Sequence, residues 1–505
     1  WDGAQEWSAD RVNQLQILKD IAFKIIDFIS QFEDELVKIW NKPKFVKNSN
    51  YVITLDRIKD EKLIEKILKH ENITNQIKEW QELGIVDEKF KAEDVFETGK
   101  TDKHLSDKYK HLPIDTKYFK DLELEILSLF DDLDKSLDGW LIKSENYQTL
   151  NTILPKFKEK VQTIYIDPPF NLDSSDQFLY RTNYKDANWA TLLENRLRIA
   201  KNWLNEKGSI FVRCDYNGNW IVRCLIDEIF GKENFRNEIV VKRGGAPISL
   251  LFKQFSELDK LGITYDNLLW FSKTQSKFKI PYRILDEVKK GHWANFYKSG
   301  LFYDRPTMRY ELLGIKIEKG QWLWSRERAL KAVESYMNYL KEYEKSGISL
   351  ENYWEKTGKK LEFIRRNKNR VEYWIYPKEK EILDNNWLDI SGYSYEWGFA
   401  TENSEMLLKR VMESTSNECD LVMDFFLGSG TTTAVAHKLG RKWIGIEMGD
   451  HFYTVILPRM KKVLACDKSG ISKEVKEYQG GGFFKYYELE QYEETLANTV
   501  YENHD

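Results

Sequence analysis

Cysteine is scarce in this chain. Its 505 residues hold four, Cys214, Cys224, Cys419 and Cys466, with no Cys-x-x-Cys pair among them. That excludes a disulfide scaffold and argues against a structural zinc site, so no metal is expected. Long apolar runs are missing too: nothing approaches the ~18 residues that a membrane-spanning helix needs. No basic-then-apolar leader follows Trp1, so the expectation is a cytoplasmic protein, met as a fragment or renumbered chain. There is no fixed-period repeat, no low-complexity tract and nothing resembling a nuclease or helicase core. Aromatic residues, by contrast, are plentiful, with 17 Trp, 27 Tyr and 27 Phe. A chain this long and aromatic buries a large core, which excludes bulk disorder, and its length suggests two to four domains.

The net charge of −4 conceals an uneven distribution. Residues 236–383 carry 30 Lys and Arg against 19 Asp and Glu, inside a chain whose two ends are acidic. A basic block suits a phosphate backbone, because Lys and Arg release condensed counterions on binding. The same count also fits a solvated basic face.

Periodicity divides the chain further. Residues 8–40, 57–83 and 122–133 carry apolar residues at helical spacing, and this N-terminal part holds no metal cluster or nucleotide loop. It reads as a helical accessory or oligomerisation region, 1–138. From 139 to 240 the rhythm changes. The β-branched run Val161–Ile166 stops at Asp167-Pro168-Pro169, the pattern of a buried strand ended by prolines. A helix, a second strand at 208–213 and a helix closed by Gly231 follow, and such alternation argues for a parallel α/β sheet. The basic, Trp-containing segment 241–383 interrupts that rhythm. It resumes over 384–505, with strands at 421–426 and 442–447 around a Gly-Ser-Gly turn.

Two stretches carry chemistry. In the first, Asp424-Phe425-Phe426-Leu427-Gly428-Ser429-Gly430-Thr431, a strand runs into a glycine turn and a helix leaves it. The glycines permit a tight turn and close approach of a ligand to the backbone. The loop is neither Gly-x-Gly-x-x-Gly nor a phosphate loop, since no Gly-Lys-Ser/Thr follows it. Glu447 ends the next strand, placed to accept hydrogen bonds from ribose hydroxyls. Together they describe a site for an adenosine-containing ligand without a pyrophosphate. In the second stretch, Asp167-Pro168-Pro169-Phe170, the prolines remove two N–H donors and leave carbonyl acceptors. Asp167 adds a carboxylate and Phe170 a flat apolar face. An exocyclic amino group on an aromatic base needs two acceptors for its hydrogens and a ring to stack on.

These two motifs resemble those of the S-adenosylmethionine-dependent DNA amino-methyltransferases. With the catalytic motif first, the cofactor motif second and a basic insertion between them, the chain is similar to the β-class. Flanking segments at 208–215, 227–235, 399–408 and 480–485 are most similar to the modification subunits of Type III restriction systems. The resemblance implies a Rossmann-like α/β methyltransferase sheet, 139–240 with 384–505, interrupted by a target-recognition insertion, 241–383, and preceded by the helical region. It implies transfer of a methyl group to N6 of adenine in double-stranded DNA. Cytosine N4 and an inactive specificity subunit are the alternatives; Asp167, where cytosine-N4 enzymes tend to carry Ser, favours adenine. Asp167, Pro168, Pro169 and Phe170 would form the catalytic set, with Phe170 standing where the family usually has Tyr. Asp424, Phe425, Phe426, Gly428, Ser429, Gly430, Thr431 and Glu447 would hold S-adenosylmethionine, with Thr401, Glu402 and Asn403 at its methionine end. Lys242, Arg243, Lys277, Lys279, Arg365 and Arg366 are candidate DNA contacts. A homodimer and a restriction-subunit partner are implied as well.

Overall fold

The computed structural model describes residues 9–98, 103–171, 184–243, 263–299 and 305–491. The chain divides into two compact units, one made of Trp1–Lys279 with Asp384–Asp505 and the other of Ile280–Leu383.

The larger unit is built on an 11-stranded sheet. Its strands in chain order are β1 (Val46–Thr54), β2 (Pro113–Asp115), β3 (Gly139–Lys143), β4 (Val161–Ile166), β5 (Leu204–Cys214), β6 (Phe235–Lys242), β7 (Tyr265–Ser272), β8 (Asn386–Ser391), β9 (Leu421–Asp424), β10 (Lys442–Glu447) and β11 (Phe483–Leu489). They lie side by side as β8-β6-β7-β5-β4-β9-β10-β3-β11-β1-β2. The run from β5 to β11 is parallel throughout. Its central strands are almost wholly buried, Ile164, Tyr165, Ile166, Val422, Met423, Ile444 and Ile446 among them. Such strands read as continuous apolar runs because both faces are covered. The covering helices show why they form. Asn219–Phe230 buries Ile221, Val222, Ile226, Ile229 and Phe230, one stripe at helical spacing, and ends at Gly231 with φ +93°.

This strand order positions the site. From β4 the chain steps to β5 on one side, and from β9 it steps to β10 on the other. The order therefore reverses between β4 and β9, and ligands of open α/β sheets bind outside the carboxyl ends at such a reversal. Asp167 follows β4, Asp424 ends β9 and Glu447 ends β10.

Two expectations are modified. The N-terminal region is helical at Ala9–Asn41, Glu61–Leu68 and Ile73–Glu82, but it also contributes β1 and β2, which continue the sheet past β11. Buried Lys461 fastens the region with ion pairs to Asp115 at 2.6 Å and Glu79 at 2.7 Å. The segment expected as insertion from 241 onward likewise gives β7 to the sheet, antiparallel to both β5 and β6. The separate unit begins at Ile280. Its tryptophans are largely structural: Trp322, Trp354 and Trp374 are buried, with Phe296, Phe363 and Ile364. Among the described residues, no helix is long and apolar enough to cross a membrane and no group of His, Cys, Asp and Glu is arranged to hold a metal.

Candidate active site

A cavity of about 920 Å³ opens at the carboxyl ends of β3, β4, β9 and β10. It is lined by Asp167, Pro168, Pro169 and Phe170 on one side and by Phe425, Phe426, Leu427, Gly428, Ser429 and Glu447 on another. Motifs more than 250 residues apart in sequence thus share one space, as the parallel pairing of β4 with β9 requires.

The catalytic motif is held from several directions. The indole of buried Trp189 donates to the Pro169 carbonyl at 2.7 Å, which leaves Asp167 and the Pro168 carbonyl as the motif's acceptors at the cavity. Asp167 accepts from the Asn403 amide at 2.9 Å. Burial pushes the Asp167 carboxyl up to about 6, against the opposing pull of the Arg213 guanidinium and the Asn403 hydrogen bond. Arg243 stands over the Phe170 ring at 5.7 Å.

The cofactor motif divides into residues that line the cavity and residues that build its wall. Glu447 lines it, accepting from the backbone N–H of Gly428 at 2.9 Å and from those of Met448 and Gly449, each at 2.9 Å. Burial alone would raise its carboxyl, but His451 and these N–H groups outweigh that and hold it below the usual range. Asp424 does not line the cavity. Its carboxylate accepts from Phe426 N–H at 2.9 Å and the Thr432 hydroxyl at 2.5 Å, so it pins the turn, and burial raises it to about 7. Gly430 (φ +81°) and Thr431 also lie behind the surface. Thr431 donates to the Asn403 carbonyl at 3.1 Å and accepts from buried Arg459 at 3.0 Å. Glu402 is turned away as well, 3.2 Å from Arg459 and bonded to Trp397 N–H at 3.0 Å. Of the 401–403 segment, Thr401 and Asn403 line the cavity.

Sequence reasoning missed several lining residues, including Asn146, Tyr393 and Phe399. It also missed Tyr165 and Arg213, which bond the Asn403 side-chain oxygen at 2.8 and 2.6 Å. No motif marks them, because their partner is about two hundred residues away. Among the proposed DNA contacts, Arg243 lines the cavity and Lys242 is exposed at the end of β6. Lys277 and Lys279 line a smaller cavity of about 310 Å³ with Arg236 and Lys207. Arg365 and Arg366 lie in the smaller unit with internal partners. Arg365 pairs with Glu372 at 2.8 Å and covers Trp293, while Arg366 donates to the carbonyls of Leu313 and Lys368.

Two carboxylates, Asp167 and Glu447, share one cavity with Phe170 and Phe426 at a sheet reversal, and residues 161–457 match the DNA methylase family of N6 and N4 methyltransferases. The chain belongs to that family. It is 30% identical over 417 residues to the probable Type III restriction-modification enzyme HindVI Mod subunit of Haemophilus influenzae, covering 72% of this chain and 55% of that protein. It is 27% identical over 326 residues to the Type II methyltransferase M.EcaI of Enterobacter cloacae, covering 62% and 67%. The chain thus spans little more than half the length of the Mod relative. The family is S-adenosylmethionine-dependent, and the residues present fit that group: an ionised Glu447 beside the Gly428 turn, with the apolar faces of Phe399, Phe426 and Ile446 for a purine.

Proposed function

We propose that the protein methylates N6 of adenine in duplex DNA, as the modification component of a restriction-modification system acting in the bacterial cytoplasm. The observation that carries the reading is the pairing, in one cavity, of Asp167 and Pro168 with Phe170 opposite Glu447. The target base must leave the helix, since its amino group is engaged in pairing. Phe170 stacks on the flipped ring. Asp167 and the Pro168 carbonyl accept from the two amino hydrogens, which draws the nitrogen toward tetrahedral geometry and localises its lone pair. Glu447 holds the ribose, and Thr401 flanks the methionine end. When bound, S-adenosylmethionine supplies a methyl group activated on a sulfonium. The chain's own contribution is positioning and fixed electrostatics, with no covalent enzyme intermediate. The cavity's volume, at the upper end of the ~300–1,000 Å³ typical of ligand sites, suits a nucleoside cofactor together with a base.

The Mod relatives support adenine as the target and a restriction subunit as partner. A homodimer completes the reading. Helix Ala9–Asn41 leaves Leu18, Ile21, Ile25 and Phe28 exposed, an apolar face that a second copy would cover. Transfer of labelled methyl groups to duplex DNA, followed by nucleoside analysis, tests the proposal. N6-methyladenine is expected; N4-methylcytosine would replace the target, and no incorporation would leave a specificity subunit.

A further inference from the structure

The hydrogen bonds behind Asp167 fix its neighbours in one arrangement. The side-chain oxygen of Asn403 accepts from the Tyr165 hydroxyl at 2.8 Å and from Arg213 Nη1 at 2.6 Å. Both are donors, so the amide nitrogen must be the atom that faces Asp167 Oδ2 at 2.9 Å. Arg213 Nη1 is itself 3.9 Å from that oxygen. The guanidinium is wholly buried and is held on three further sides. It pairs with Asp266 at 2.7 Å, donates to the Gly392 carbonyl at 2.8 Å and lies 4.0 Å from the centre of the Tyr393 ring. Residue 392 has no room for a side chain, since a Cβ there would sit 2.6 Å from Arg213 Nη2.

We propose that Arg213 and Asn403 are positioning residues that keep the Asp167 carboxylate ionised and lock its Oδ2, leaving Oδ1 for the target amine. The inference rests on the methyltransferase reading above and assigns a task within it that no motif carries. Asn403 then serves the acceptor rather than the cofactor. Carboxylates gain stability in the charged form from an N–H donor and a nearby cation, and lose it by burial and from like charges. The groups that face Asp167 are Arg213 and Arg243, which favour its charge; Asp266 and Asp424, which oppose it; and the neutral hydroxyls of Tyr165 and Tyr393. Burial has already brought this carboxyl to about 6, so loss of either support would bring its titration into the working range.

Acceptance needs the carboxylate, so turnover is present above the pKa of Asp167 and is lost as pH falls through about 6. Arg213→Met removes a cation within 4 Å, and the acid limb of the pH–rate profile moves upward by about 1–3 units. Asn403→Ala moves it the same way by less, and Arg213→Lys leaves it near the wild-type position. Because Arg213→Met leaves buried Asp266 only its longer 3.7 Å ion pair with Arg243, it risks the fold; Asn403→Ala breaks no ion pair and keeps the test alive.

Initial rates of methyl transfer to duplex DNA, from pH 5.5 to 9 at saturating S-adenosylmethionine, decide the matter, with cofactor affinity measured by calorimetry. The expected result is a displaced acid limb, activity regained at high pH and unchanged cofactor affinity. A uniform fall in rate with an unmoved limb overturns the proposal while leaving the methyltransferase reading intact. So does a loss of cofactor affinity in Asn403→Ala without a shift of the limb. If the wild-type protein transfers no methyl group to DNA, the reading itself falls and this inference falls with it.

Discussion

Asp167 and Glu447 are both largely enclosed carboxylates at one cavity, each side chain 13% exposed, yet their neighbours drive them in opposite directions. Glu447 collects three backbone N–H groups and a histidine, and stays charged below the ordinary carboxylate range. Asp167 has one amide, a cation at 3.9 Å and more desolvation than these offset. The difference suits the tasks proposed for them, since a ribose acceptor needs permanent charge and an amine acceptor needs a free oxygen. Asp167→Ala should therefore abolish methyl transfer while calorimetry finds S-adenosylmethionine binding nearly unchanged; near-normal turnover would remove Asp167 from the chemistry. Glu447→Gln keeps the shape but removes the charge. It should weaken cofactor binding by about 1–3 kcal/mol, the scale of a hydrogen bond to a charged group. Unchanged affinity would take Glu447 out of the cofactor's contacts. Asp424 separates a motif residue from a contact residue: its carboxylate is spent within its own turn, so its place in the motif is that of a brace for Phe426.

At the scale of elements, the cofactor turn depends on a glycine in the neighbouring strand. A Cβ on Gly445, in the middle of β10, would meet Leu427 Cδ2 at 2.6 Å and Thr433 Cγ2 at 2.8 Å. The turn seats on that bare backbone. Gly445→Ala should cost about 1–3 kcal/mol of stability by overpacking, read as a lowered denaturation midpoint, with a parallel loss of cofactor affinity. A stable variant with normal affinity would show that the turn is not seated there. This glycine carries no sequence signature, whereas the strands it serves were legible. Val161–Ile166, Leu421–Asp424 and Lys442–Glu447 are short apolar runs cut by proline, glycine turns or an acid, and local pattern suffices for such elements. β1 was not legible, because its first half is exposed and polar and only Asn50–Thr54 is buried. β7 was counted with the basic insertion because charge is a property of composition and pairing is not. The candidate site divides in the same way. Its motif residues are neighbours in sequence, while the bonds from Arg213 and Asp167 to Asn403 span 190 and 236 residues.

At the scale of the whole molecule, the surplus of Lys and Arg over 236–383 must be divided between folding and recognition. Three of the six proposed DNA contacts are engaged internally: Arg243 lies 3.7 Å from Asp266 and 4.0 Å from Asp215, Arg365 is paired with Glu372 over the Trp293 ring, and Arg366 holds two carbonyls. A side chain that fixes its own unit has less to offer a phosphate, so a charge count overstates the binding surface. Lys277 and Lys279 differ. They stand just before the smaller unit begins at Ile280, beside a cavity whose lining, among the described residues, includes Lys207 and Arg236 and no carboxylate. Replacing Lys277 and Lys279 with Ala together should weaken binding to all duplex sequences. It should also shallow the dependence of log affinity on log salt, by about 0.9 for each phosphate contact removed. The Arg365→Ala, Arg366→Ala double variant should instead lower the thermal stability of the 280–383 unit and leave the salt slope of the folded protein nearly unchanged. Titrations of labelled duplex DNA across a range of salt concentrations, with denaturation curves for each variant, distinguish the two outcomes. A slope that falls with the arginines and not with the lysines would place the phosphate contacts in the smaller unit and empty the 277–279 segment of its proposed role.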